Sequence, residues 1–258
     1  MLPTIKQDVP NPKGKIAIFT GCLLDFVYVD IATSVVKALN MAGYVVEMPL
    51  GQACCGAPAA YMGDSGNSKK AAEMNIEAME AEKYDYIVSA CPTCTHALRD
   101  YKDYFKDEPE MLKRAEELSK KTFDFSKLLH MLGGLPDNGD GEPLKITYHD
   151  SCHMKRFMGV TEEQRELLKN TKGVELCEME NCDKCCGFGG SYSIKYPEMS
   201  APILEEKINN IVASNADVVA VDCPGCLLQI QGGLDARNLG HIKVKHTAQI
   251  LVEKRNKG

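Results

Sequence analysis

The chain has 258 residues, 44% apolar and 26% charged, which excludes a disordered or fibrous protein. Thirty Lys and Arg against 36 Asp and Glu leave a net charge of −6, and no Lys/Arg block supplies the basic face of a general nucleic-acid binder. No stretch of about 18 uncharged apolar residues is long enough to span a membrane, and Met1 to Pro10 lack the basic start and apolar run of a secretory signal. These features predict a cytoplasmic chain, and in a reducing compartment its twelve cysteines read as metal ligands or redox groups before disulfides.

In chain order, residues 1–14 hold three Pro and no Cys and read as a linker. Lys15 to Cys22 is a β-branched and aromatic run that predicts a buried strand ending at a cysteine. Ile31, Val35, Leu39 and Ala42 then share one helical face. Tyr44 to Met48 predicts a second strand, followed by Cys54-Cys55-Gly56. Ala71, Met74, Ala78 and Ala81 predict the apolar face of a second helix. Tyr86 to Ala90 predicts a strand leading into Cys91-Pro92-Thr93-Cys94. Glu108 to Leu132 reads as a helical insertion closing the first domain, without a counterpart later in the chain. The segment from Gly133 to Pro143 is dense in turn formers, and 136–143 is taken as a linker.

The pattern then starts again. Lys145 to Cys152 matches Lys15 to Cys22, Gly173 to Cys177 supplies a strand, and Cys185-Cys186-Gly187 follows. Leu204, Ile208 and Ile211 share a helical face, and Val218 to Asp222 predicts a strand leading into Cys223-Pro224-Gly225-Cys226. From Cys22 to Cys54 is 32 positions and from Cys152 to Cys185 is 33; from Cys55 to Cys91 is 36 and from Cys186 to Cys223 is 37. Two five-cysteine sets in register to within one residue indicate a tandem duplication. The expected fold is α/β: two similar open parallel-sheet, Rossmann-like halves over 15–135 and 144–258, each β-α-β-α-β-α.

Ligands of open parallel sheets collect at the carboxyl ends of strands. Five thiols per half therefore converge there, beside helix starts whose dipoles favour an anionic thiolate centre. Adjacent cysteines are poorly placed to share one tetrahedral zinc and better suited to two irons of one cluster. An iron–sulfur cluster in at least one half is the leading expectation, with zinc in one half and plain packing thiols as alternatives. Thioredoxin-like dithiols at Cys91/Cys94 and Cys223/Cys226 leave the other six repeated cysteines unexplained.

Outside the repeat, Cys177 and Cys182 read as simple buried or loop thiols, with an alternative ligand or zinc site as the competing reading. His149 and His153 flank Cys152 and read as satisfied structural histidines, against a role as donor to a cluster sulfur or proton shuttle. Lys155 and Arg156 read as ordinary exposed bases. Met74, Met79, Met111, Met131 and Met199 read as core. The glycines of Gly187-Phe188-Gly189-Gly190 read as close backbone approach to a cluster and not as a dinucleotide fingerprint.

The two cysteine patterns, with Tyr148-His149-Asp150-Ser151-Cys152-His153, Cys185-Cys186-Gly187-Phe188-Gly189-Gly190, Lys195-Tyr196-Pro197-Glu198 and Gly225-Cys226-Leu227, resemble the cysteine-rich CCG family of iron–sulfur oxidoreductase subunits. That family includes the disulfide-cleaving subunit of heterodisulfide reductase, the iron–sulfur subunits of glycolate oxidase and anaerobic glycerol-3-phosphate dehydrogenase, and the lactate-utilisation protein A. The resemblance spans roughly Lys15 to Val252 and its second half is closest to the lactate and glycolate branch. It implies two competent sites for [4Fe-4S] clusters, noncubane in heterodisulfide reductase and zinc-bearing in some relatives. One would be held by Cys22, Cys54, Cys55, Cys91 and Cys94, the other by Cys152, Cys185, Cys186, Cys223 and Cys226.

The implied function is an electron-transfer oxidoreductase subunit of a lactate or glycolate oxidation complex. The alternatives are a heterodisulfide-reductase-like catalytic subunit and a zinc-held, non-enzymatic scaffold. Several relatives carry a ferredoxin part that this sequence lacks. The chain is thus expected to be a stand-alone form or a segment of a longer one, with partner subunits supplying ferredoxin-type clusters or flavin and, through them, any peripheral membrane attachment.

Overall fold

The computed structural model describes residues 9–136 and 142–255, and the chain divides into two compact units, Met1–Leu135 and Pro136–Gly258. Residues 1–8 of the expected N-terminal linker and 137–141 of the expected inter-domain linker lie outside the described residues.

The first unit runs β1 (Gly14–Ile18), α1 (Gly21–Phe26), α2 (Val29–Met41), β2 (Tyr44–Glu47), α3 (Ala57–Tyr61), α4 (Ser65–Met79), β3 (Tyr86–Ser89), α5 (Pro92–Asp100), α6 (Pro109–Lys121), β4 (Thr122–Asp124) and α7 (Phe125–Met131). The second runs β5 (Leu144–Tyr148), α8 (Glu163–Lys169), β6 (Val174–Leu176), α9 (Tyr192–Lys195), α10 (Pro197–Ala213), β7 (Val218–Val221), α11 (Pro224–Ala236), β8 (Lys243–His246) and α12 (Thr247–Glu253). Each unit has a four-stranded sheet, in the orders β2-β1-β3-β4 and β6-β5-β7-β8, with every pair parallel. The fold is the duplicated open α/β architecture that the sequence predicts.

The strands are short, and the central ones are apolar where helices cover both faces. Ile16, Ala17 and Ile18 of β1 and all four residues of β7 are buried. Helix α2 buries Ile31, Val35 and Leu39 completely, on the face predicted. The chain order reverses between β1 and β3, and again between β5 and β7. A crevice opens at such a reversal, beyond the carboxyl ends of the two strands. Cys22 follows β1 and Cys91 follows β3, so both reach this point from neighbouring strands.

Three readings of the sequence are corrected. The segment 108–132 is not wholly a helical insertion: after α6 it forms β4, which pairs with β3, and then α7. The later segment β8-α12 repeats this, so each unit has a fourth strand that the β-α-β-α-β-α pattern omits, and of the segment 108–132 only α6 lacks a counterpart among the described residues. Both repeats start their last helix with a side-chain cap: Asp124 accepts from the Ser126 N–H and His246 from the Ala248 N–H.

Helix α4 buries Ser68, Ala72, Asn75, Ile76 and Met79, a face rotated by one residue from Ala71, Met74 and Ala78. Polar Ser68 and Asn75 hold inward positions through hydrogen bonds, which apolar periodicity does not register. Of the five methionines read as core, Met79 is fully buried and Met111 packs against the core, while Met74, Met131 and Met199 are about half exposed.

Candidate metal centres

In the first unit the five repeated thiols form one connected group. Hydrogen bonds link Cys22 to Cys54, Cys54 to Cys55, Cys55 to Cys94 and Cys94 to Cys91. Cys55, Cys91 and Cys94 are buried, whereas Cys22 and Cys54 stand exposed at the rim. Cys91 is the N-cap of α5, with Pro92 at the first helical position where a missing N–H costs nothing. Its thiol is held below its ordinary value, chiefly by the Cys94 side chain and further by the backbone N–H groups of Cys94 and Thr93 at the helix start.

The second unit repeats this arrangement with Cys223 capping α11. Cys185 bonds to Cys186, Cys186 to Cys226 and Cys226 to Cys223, while the charge of Cys152 acts on Cys185 and is acted on by Cys223 and Cys186. Cys186, Cys223 and Cys226 are buried, Cys152 is half-buried and Cys185 is exposed.

The glycine after each cysteine pair has a specific packing reason. Gly56 has φ +79° and Gly187 φ +86°, the left-handed region that glycine enters without strain. A Cβ at Gly56 would lie 3.1 Å from the Ser68 carbonyl, and one at Gly187 only 2.7 Å from the Ser200 carbonyl. At Gly189 a Cβ would meet Tyr192 at 2.8 Å. Within the protein, Gly187 thus approaches α10 and Gly189 approaches α9, contacts that the sequence reading did not include.

Electrostatics distinguish the thiols within each group. Hydrogen bonds from Cys22 and Cys55, reinforced by the N–H groups of Gly56 and Cys55, pull the Cys54 thiol down to about 2. The same bond to Cys54 pushes Cys55 up to about 12 and raises Cys22 strongly. In the second unit the favoured thiolate is Cys186, stabilised by Cys185, then Cys226, and to a smaller degree by His149. Cys185 and Cys226 are raised in turn. Crowded thiols without a cation share their protons in this way, because adjacent thiolates repel. A polycationic metal centre removes that conflict by deprotonating its ligands outright. All twelve cysteines are free, and the clustered thiols have mainly one another for partners. The donor chemistry therefore fits a thiolate-bound metal centre in each unit.

The two off-repeat cysteines lie apart from these groups. Cys177 pairs with Glu175 at 3.7 Å. Cys182 contacts Asp150 at 3.3 Å and Arg165 at 3.5 Å. It belongs to a charged network that sequence reading missed. Arg165 bridges both oxygens of Asp150, at 2.9 and 3.0 Å, and both of Glu178, at 2.7 and 3.1 Å. Lys207 is buried in α10 and donates to the carbonyls of Asn181 and Cys182. Together they fasten the loop that carries Cys185 and Cys186.

His149 is only partly satisfied: a hydrogen bond joins its ring to the Cys186 thiol. It is 1% exposed, and its Nδ1 has no hydrogen-bond partner among the described residues. One ring nitrogen and the sulfurs of Cys186 and Cys226 all lie within 4.8 Å of one another. His153 is half-buried, with Nδ1 3.6 Å from the Cys152 sulfur. Lys155 pairs with Asp183 at 2.9 Å.

This fold and these paired sites define the class of protein. The cysteine-rich CCG domain family matches residues 16–99 and 146–231, and the chain belongs to that family. Among relatives, it is 40% identical over 240 residues to lactate utilization protein A of Shouchella clausii, covering 93% of this chain and 99% of that one. It is 37% identical over 253 residues to a probable glycolate oxidase iron-sulfur subunit of Bacillus subtilis, covering 97% of this chain and 57% of the relative. A crystal structure of a hypothetical protein from Helicobacter pylori shares the fold with a TM-score of 0.66 at 10% identity, over all of this chain and 52% of that one. Among the described residues, no helix is long and apolar enough to cross a membrane.

Proposed function

We propose that the chain is an iron–sulfur electron-transfer subunit of a 2-hydroxyacid oxidation complex, acting on lactate or glycolate. Its relatives are named for lactate utilization and for a glycolate oxidase iron-sulfur subunit. The observation that carries the reading is the gathering of five thiols into one group in each unit.

Cys22, Cys54, Cys55, Cys91 and Cys94 hold one [4Fe-4S] cluster, and Cys152, Cys185, Cys186, Cys223 and Cys226 hold the other. Such a cluster supplies one-electron uptake and release. The protein's own contribution is positioning. Cys91 and Cys223 stand at the N-termini of helices α5 and α11, whose dipoles favour an anionic centre. The buried cysteines keep water from one side of each site, and the exposed ones leave a rim open for electron exchange.

Exposed apolar side chains follow the rim cysteines in sequence: Phe26, Val27, Tyr61 and Met62 in the first unit, Phe157 and Ile194 in the second. Their exposure supports docking of partner subunits that carry flavin or ferredoxin-type clusters. Oxidation at carbon belongs to such a partner, and the complex works in the cytoplasm. The units correspond to CCG domains over 15–135 and 144–258. Deleting the gene from its host tests the role: growth on lactate or glycolate as sole carbon source stops, and unchanged growth on both contradicts it.

A further inference from the structure

The two units carry different groups at equivalent places. Phe19 and His149 each follow the last residue of the central strand, and each donates its backbone N–H to the matching carbonyl on the neighbouring strand, Val88 at 2.8 Å and Ala220 at 3.0 Å. The strand registers agree as well, with Ile16 opposite Tyr86 and Ile146 opposite Val218. A Cβ added at Gly21 would touch both the Cys94 sulfur and the Phe19 ring, at 3.1 and 3.3 Å. Phe19 thus borders the cysteine whose counterpart, Cys226, lies beside His149. Where the first unit has an inert ring, the second has a metal-binding one.

A buried imidazole nitrogen without a partner is costly, on the order of 1–3 kcal/mol for an unsatisfied polar group. Apolar Phe serves the same packing position in the first unit, so packing alone does not require a histidine. The nearby carboxylates have other partners: Asp150 is held by Arg165, and Asp222 accepts from the Tyr148 hydroxyl. One ring nitrogen lies within 4.8 Å of the sulfurs of Cys186 and Cys226, and the ring already hydrogen-bonds the Cys186 thiol. Neutral imidazole and thiolate together form a common donor set for iron and zinc.

We propose that His149 is a nitrogen ligand of the second unit's metal centre, making that site a mixed nitrogen–sulfur site while the first remains all-sulfur. The proposal rests on the reading that the cysteine groups hold metal. It adds that the two centres are chemically unequal. A nitrogen donor at one centre alone would set that centre's reduction potential apart from the other's.

The test is X-ray absorption at the iron and zinc edges of the anaerobically purified full chain, wild type and His149→Phe. The substituted side chain is the one that the first unit accepts at this place. The wild type is expected to show a light-atom scatterer nearer than the sulfurs, about 2.0–2.1 Å against about 2.3 Å for zinc. That scatterer is lost in His149→Phe, either with the metal retained or with loss of metal from the second site only. Should His149→Phe fail to fold, an all-sulfur wild-type spectrum still overturns the proposal, and His149→Leu takes the variant's place in the comparison. Metal with an all-sulfur shell, or a nitrogen that persists in the variant, overturns the proposal and leaves the electron-transfer reading standing. Absence of any metal in the second unit overturns both.

Discussion

Asn75 donates to the hydroxyl of Tyr101 at 2.9 Å, and that hydroxyl in turn donates to the carbonyl of Cys55 at 2.9 Å. Both side chains are buried, and Asn75 also bonds the Cys54 carbonyl and the Ala53 N–H. Four polar groups around the first cysteine pair are thus satisfied within one network. The Asn75→Leu variant strands several of them and is expected to lose about 2–3 kcal/mol of stability. Urea denaturation of the metal-free chain checks this; a midpoint equal to wild type contradicts it.

In the second unit, ion pairing plays the comparable part. Asp150 is 2% exposed and both of its oxygens meet Arg165. Removing one partner of a buried pair leaves an uncompensated charge, at a cost of about 3–5 kcal/mol. Because Glu178 still binds Arg165, Asp150→Ala is expected at the lower end of that range. The double variant Asp150→Ala/Arg165→Met is expected to recover part of the loss. Equal unfolding midpoints for wild type and Asp150→Ala would show the pair to be idle.

The glycines after the cysteine pairs give a graded comparison. Both Gly56→Ala and Gly187→Ala force a side chain into the left-handed region, costing about 1–3 kcal/mol. Gly187→Ala also drives a Cβ to 2.7 Å from the Ser200 carbonyl, against 3.1 Å at Ser68 for Gly56→Ala. Gly187→Ala is therefore the more damaging in thermal unfolding of the metal-free protein, and the reverse order would contradict the packing argument.

Lys207 gives the stability a pH signature. Burial holds its ammonium below the ordinary value of 10.5, opposed by the nearby charges of Cys182, Cys186, Asp183 and Asp150. Between the folded pKa and 10.5 the unfolded chain binds more protons than the folded one, so stability contributed by this group rises with pH across that window. Lys207→Met lacks the contribution. The unfolding free energy of the metal-free wild type, minus that of the variant, is expected to increase as pH rises toward 10.5, and a flat or falling difference contradicts it.

Much of the fold was legible because the cysteines mark strand ends twice over. Lys15 to Cys22 and Lys145 to Cys152 give the same strand, and in both the next cysteine pair follows at nearly the same spacing. What escaped reading depends on contacts distant in sequence. Thr122-Phe123-Asp124 is too short for a period, and becomes a strand only because β3 pairs with it. Ser68 and Asn75 face inward because Tyr104 and Tyr101 meet them there. The Asp150–Arg165–Glu178 network joins three residues whose charges look solvated in a linear string. His149 was visible beside Cys152, but its orphaned nitrogen and its nearness to Cys186 and Cys226 exist only in the folded chain.

Metal and sulfide analysis, with electron paramagnetic resonance, of the chain purified without oxygen tests the central claim most directly. Two clusters require about eight irons and eight sulfides per chain, from four of each in one [4Fe-4S] unit. Cys55→Ser and Cys186→Ser should each abolish one centre and leave the other. A colourless, iron-free wild type, or loss of both centres from either substitution, would contradict two independent five-thiol sites.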